Sequence, residues 1–90
     1  MLGAVSHHAS PEYWEAFNAL PPTTQELASK TFLLLKQDPR HPSLHLKQIG
    51  RFWSARVGLH HRALGVAVPD GIVWFWIGSH ANYDRLLNRR

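Results

Sequence analysis

Phe52-Trp-Ser-Ala-Arg-Val57, His61-Arg-Ala-Leu-Gly-Val-Ala-Val68 and Ile72-Val-Trp-Phe-Trp-Ile77 are three apolar-rich runs separated only by short turn signals, and their reading decides the fold. The first run alternates, with Trp53, Ala55 and Val57 on one face and Phe52, Ser54 and Arg56 on the other, the period of a half-buried strand. Pro69-Asp-Gly71 is a turn signal. The third run is apolar on both faces and therefore reads as a central strand. Upstream the pattern is helical. Ser10, Pro11 and Glu12 form an N-cap, a first helical position and an acidic first turn. They predict a helix from Pro11 to Ala19 with Tyr13, Trp14, Phe17 and Leu20 as its apolar stripe. Leu20-Pro-Pro22 breaks that helix. Pro22 opens a second one to Gln37, with Leu27, Ala28, Thr31, Leu34 and Leu35 at helical spacing and Phe32 close by. Asp38-Pro39 stops it.

Working outward, residues 2–6 read as a short edge strand, 39–50 as a loop or irregular extended segment, and Ser79 as the cap of a last helix through Leu87. The order is β-α-α-β-β-β-α. This predicts an α+β domain in which a two-helix hairpin packs on one face of a small antiparallel β-sheet. Trp14, Phe17, Leu27, Phe32, Leu35, Val57, Phe75 and Ile77 are its expected core.

The 90 residues suit a single domain, 1–90, that buries roughly 60% of its unfolded surface. Hydrophobic residues make up 44%, enough for a core and against disorder. There is no cysteine, so disulfides, zinc knuckles and thiol nucleophiles drop out. The first ten residues lack the basic and apolar regions of a secretion signal. No apolar run approaches the roughly 18 residues of a membrane span. A cytoplasmic location is expected.

Charge points toward phosphates. The net charge is +4 and the pI about 10.1. Between Asp38 and Asp70 there is no acidic residue, whereas Arg40, Lys47, Arg51, Arg56 and Arg62 lie there with His41, His45, His60 and His61. Such a segment is an electrostatic footprint for nucleic acid, although a solvated basic face reads the same way. Arg56 points away from Trp53, Ala55 and Val57, and Arg62 begins the next strand, close across the turn. Strict alternation sets Arg62 on the face of Leu64, Val66 and Val68. Lys47 precedes the paired strands, and His80 and Tyr83 start the last helix. Guanidinium and ammonium groups can bind a phosphate and stabilise its transition-state charge. A neutral imidazole is a competent base near pH 7. His41 and His45 stand four apart, but Pro42 argues against a helix there, and no clustered carboxylate accompanies them, so no metal is expected. Trp74 and Trp76 share a face under strict alternation, where they could stack bases or fill core.

Ala19-Leu-Pro-Pro22 is followed by Asp38-Pro-Arg-His-Pro-Ser-Leu-His-Leu-Lys47, then by Trp53-Ser-Ala-Arg-Val57 with His61-Arg-Ala-Leu64, and finally by Trp76-Ile-Gly-Ser-His-Ala-Asn-Tyr-Asp-Arg-Leu-Leu87. In this order they resemble the toxins of RelE/ParE-family type II toxin-antitoxin systems, the branch that includes HigB- and YoeB-like toxins. The resemblance spans Pro11 to Leu87. It implies a RelE-like fold and an acidic cognate antitoxin. It also implies a ribosome-dependent mRNA endonuclease that needs no metal or small-molecule cofactor and uses the RNA 2′-hydroxyl as nucleophile. Lys47 matches the family's lysine before the first paired strand, Arg56 its phosphate-binding strand arginine and Arg62 the arginine of its Tyr-or-His-then-Arg motif, and His80 and Tyr83 fall where members carry a C-terminal His or Tyr. No acidic residue stands where YoeB-like members place one, so the base is left between His80, Tyr83 and Lys47. RNA contacts are expected to extend to Arg40, Arg51, His61, Arg89 and Arg90. The rival readings are a ParE-like gyrase inhibitor and a non-catalytic nucleic-acid or antitoxin-binding module.

Overall fold

Each helix begins where proline and a cap make it begin. In the structure, a computed structural model that describes residues 6–88, α1 spans Pro11–Asn18, and the Ser10 side chain accepts from the Tyr13 backbone N–H. A cap of this kind contributes on the order of 1 kcal/mol. Pro22 opens α2 (Pro22–Gln37). Gln25 reaches back to the carbonyls of Phe17 and Leu20, which closes the break between the two helices. The strands are β1 (Ser6–Ala9), β2 (Lys47–Ile49), β3 (Phe52–Val57), β4 (His61–Val68) and β5 (Gly71–Ser79), and α3 (His80–Asn88) follows. Ser79 caps α3 by accepting from the Asn82 N–H at 3.1 Å.

The strands form one sheet in the order β1-β5-β4-β3-β2. All described pairings are antiparallel except β1 with β5, which is parallel. The antiparallel sheet of β3, β4 and β5 is as expected, and β1 adds a parallel edge. The first strand is described over Ser6–Ala9; the predicted strand residues 2–5 lie outside the described residues. The stretch 39–50 is more ordered than a loop, because a 3-10 turn (Pro42–Leu44) buries Leu44 and β2 then pairs with β3.

The helical hairpin covers the face formed by Ala55, Val57, Ala63, Ile72, Trp74 and Ile77, with Tyr13, Ala28 and Leu35 packed against them. The expected stripes face inward except at Trp14 and Leu27, which lie at their exposed edges. Tyr13 is buried and Trp14 is 45% exposed; Ala28 is buried and Leu27 is 45% exposed. One step along a helix turns a side chain by about 100°. The small Ala28 faces the sheet and lets α2 approach it closely. Phe17 and Phe32 flank the core, half-buried, while Leu35, Val57 and Ile77 are buried as expected.

A bulge in β5 sets the remaining faces. Leu64 stands opposite Trp76, but the next residue, Gly65, stands opposite Trp74, so Phe75 is an extra residue. Trp74 thereby joins the core with Ile77, at 0% exposure, while Trp76 lies on the other face. The two tryptophans do not share a face. Phe75 is half-buried against Phe52, with ring centroids 5.9 Å apart, and is not a core residue. Gly65 permits this packing: a Cβ there would lie 2.7 Å from Ile72 Cγ2 and 3.0 Å from Trp74 Cε3.

Candidate active site

The sheet face opposite the helical hairpin gathers the basic residues. Lys47 pairs with Ser54, Ser54 with Leu64, and Arg56 with Arg62. Cross-strand partners share a face, so Lys47, Ser54, Arg56, Arg62 and Leu64 lie together. The short turn between β3 and β4 brings the two arginines opposite one another. Leu64 on their face is buried and needs no twist to remove it. α3 packs on β4 and β5. Its first residue is tied to the β3–β4 turn by a bond from the His80 N–H to the His60 carbonyl at 2.8 Å.

Two separate sets of contacts involve these residues, one around Arg62 and one around Arg56. Arg62 Nη1 donates to Ser54 Oγ at 2.7 Å. Its guanidinium lies 5.4 Å from the centre of the Tyr83 ring. The Tyr83 ring meets His80 edge-on at 5.5 Å. Asp84 Oδ2 lies 3.3 Å from His80 Nδ1, one helical turn on. Arg56 Nε donates to the Gly58 carbonyl at 3.0 Å, and Nη1 lies 3.3 Å from His45 Nε2. A guanidinium only donates, so that contact requires an unprotonated His45 Nε2. His45 has φ 42°, the left-handed region, which a non-glycine residue adopts at a cost. Its backbone N–H bonds the Pro42 carbonyl as the C-cap of the 3-10 turn.

Arg62, Tyr83 and His80 are therefore brought into contact, while Lys47 and Arg56 share the ladder face of Arg62. The further candidates lie elsewhere. Arg51 stacks over Phe52 at the opposite end of β3 from Arg56. Arg40 is exposed in the turn after α2. His61 pairs with Val57 on the helix-covered face, where burial and then His60 lower its pKa. Arg89 and Arg90 lie outside the described residues. His41 does not pair with His45: its Nδ1 bonds the Ser43 N–H and hydroxyl. Among the described residues no group of three or more His, Cys, Asp or Glu is placed to hold a metal ion. Sequence reasoning passed over Ser54 and the Arg56 contact of His45. Ser54 carried a signal, as the polar residue at the alternate position before Arg56. For His45 the spacing carried none.

No protein-family model and no curated protein sequence matches the chain. Solved structures do. The toxin-antitoxin complex RelBE2 from Mycobacterium tuberculosis matches with a TM-score of 0.68 at 15% identity, over 86% of this chain and 99% of that one. YafQ from E. coli matches with a TM-score of 0.67 at 10% identity, over 88% and 97%. A substituted E. coli toxin RelE in the free state matches with a TM-score of 0.63 at 13% identity, over 96% and 97%. The chain has the RelE-like toxin fold.

Within this RelE-like fold the energetic anomaly is Arg62. It is 6% exposed, and its hydrogen-bond partner among the described residues is a hydroxyl rather than a carboxylate. Burying a cation without a counter-ion is unfavourable. The Tyr83 hydroxyl is also buried, with no partner among the described residues. Two polar groups in contact, both short of partners, mark a place where stability has been given up.

Proposed function

We propose that the chain is the toxin of a type II toxin-antitoxin pair and cleaves mRNA on the ribosome without a metal ion. The observation that carries this reading is the grouping of Lys47, Arg56, Arg62, His80 and Tyr83 on the open sheet face of a RelE-like fold. RNA supplies its own nucleophile. The 2′-hydroxyl attacks the adjacent phosphorus, a base takes its proton, and the bond from phosphorus to the 5′-oxygen breaks as that oxygen gains a proton. The products are a 2′,3′-cyclic phosphate and a 5′-hydroxyl.

The protein then has to supply positive charge, a base, an acid and orientation. Lys47 is exposed and Arg56 half-buried, so both can touch the phosphate. Arg62 supplies charge from beneath, held by Ser54 and Tyr83. His80 has Nδ1 beside Asp84, which leaves Nε2 to exchange a proton. Tyr83 and Lys47 are the other candidates for that step.

The partner in this reading is a small acidic antitoxin. Its support is the basic surface, together with solved structures of similar fold that are toxin-antitoxin complexes. A groove lined by Leu27, Thr31, Leu44, Gly58 and Leu59, with Arg56 among its walls, offers an apolar seat beside a cation.

The test is ribosome-bound mRNA with end-group analysis of the fragments. Cyclic phosphate ends and a loss of about 10²–10³-fold in rate for Arg56→Ala are expected. Fragments with 3′-hydroxyl ends, or full activity in Arg56→Ala, would overturn the mechanism. Induction in cells should stop protein synthesis before DNA replication; the reverse order would favour gyrase as the target.

A further inference from the structure

The β5 bulge that sends Trp74 into the core turns Trp76 to the open face, where α3 crosses it. A cleft of about 220 Å³ lies there, lined by Trp76, Asn82, Arg85 and Leu86. Asn82, Arg85 and Leu86 stand at i, i+3 and i+4, so they share one helix face. Tyr83, the next residue after Asn82, turns instead toward Arg62. The Trp76 ring lies over Gly78, the ladder partner of Arg62, so the cleft adjoins the basic cluster along β5.

Its composition is specific in kind. Trp76 is half-buried, and Leu86 is 45% exposed. Together they offer a flat aromatic surface and an aliphatic wall. The Asn82 cap uses its backbone N–H, so the side-chain amide keeps its donor and acceptor for a ligand. Arg85 is exposed beside it. A ring surface, an amide and a guanidinium are the groups that hold an unpaired nucleobase by stacking, edge hydrogen bonds and phosphate contact. The volume is below the roughly 300–1,000 Å³ of sites for larger small molecules.

We propose that this cleft is a base subsite: a nucleotide flanking the cleaved one stacks its base on Trp76 and presents its edge to Asn82, with Arg85 at its phosphate. The assignment rests on the RNA-cleavage reading above. It makes the bulge at Phe75 a specificity device, because without the extra residue Trp76 would not face the open side together with a buried Trp74.

The experiment is an NMR titration of the full chain with a short single-stranded RNA made uncleavable by a 2′-deoxy substitution at the cleaved nucleotide. A second oligonucleotide is abasic at the flanking position. The Trp76 indole N–H and the Asn82 side-chain amide should shift with the first, and affinity should fall about 5- to 150-fold with the second or in Trp76→Leu. Asn82→Ala, on an exposed helix face, should keep the fold and lose discrimination among the four bases at that position. RNA that shifts Arg56 and His80 signals but leaves Trp76 and Asn82 unmoved, and binds equally when abasic, overturns the subsite while the cleavage reading stands. RNA that shifts nothing also overturns the subsite, and the cleavage reading is then decided by the end-group analysis of ribosome-bound mRNA.

Discussion

Ser54 is fully buried, and its hydroxyl is the side-chain partner of the Arg62 guanidinium. Ser54→Ala removes that acceptor and leaves a buried cation short of a hydrogen bond. The expected loss is about 1–3 kcal/mol in a urea unfolding experiment. A loss below about 0.5 kcal/mol, the usual scale of surface changes, would mean that Arg62 finds another partner at no cost. Arg56 behaves differently because it is half-exposed and held by the Gly58 carbonyl and His45. Arg56→Ala should reduce cleavage strongly while changing stability by only about 0.5 kcal/mol. The two arginines face each other in the ladder and are expected to separate a role in the reaction from a role in the scaffold.

At the level of elements, the parallel pairing of β1 with β5 places His7 against Trp74. The Trp74 indole N–H donates to His7 Nδ1 at 3.1 Å. An indole nitrogen only donates, so Nδ1 carries the lone pair and the proton sits on Nε2, which is buried without a partner among the described residues. Burial first, then the charges of His8 and Lys36, lower the His7 pKa below its ordinary 6.5. Between the folded and unfolded values the unfolded chain binds more protons. His7 therefore contributes its full stability above about pH 6.5 and loses it as pH falls toward the folded value. The melting temperature should drop on acidification through this window, and His7→Gln, which can still accept from Trp74, should drop less. His61 is shifted in the same direction, so the difference between the two proteins is the informative quantity; parallel slopes would contradict this account. The β4–β5 seam has its own test. Gly65→Ala drives a methyl group against Ile72 and the Val73 carbonyl and should destabilise by about 1–3 kcal/mol in denaturant unfolding.

The whole molecule carries +4, and the open face concentrates cations without acidic partners in the adjoining sequence. Binding to single-stranded RNA should therefore weaken steeply with salt. Three to four phosphate contacts correspond to a slope of log affinity on log salt of about −2 to −3, and Arg56→Ala should make it shallower by about 0.7. Anisotropy titrations of a labelled, uncleavable RNA over a salt series measure both quantities. A slope near zero would remove phosphate contact from the account of this surface. Among the described residues no helix is long and apolar enough to cross a membrane.

Much of the architecture is local and was therefore legible. Proline at the first turns of α1 and α2, the Ser10 and Ser79 caps, and alternation in β3 act through backbone geometry and near neighbours, so the sequence alone determined the helical hairpin, the three long strands and their antiparallel order. The pairing of Arg56 with Arg62 was legible for the same reason, since a short turn leaves few registers. Tertiary packing decided the rest. Trp14 and Leu27 were left at the exposed edges of their stripes, because Tyr13 and the small Ala28 take the positions against the sheet. Trp74 and Trp76 parted because Gly65 leaves room for an extra residue in β5, a choice visible only once two strands and the core meet. Arg62 became a buried member of the site because α3 folds back across β4 with Tyr83 over the guanidinium. Alternation names the face a side chain takes; what covers that face depends on residues distant in sequence.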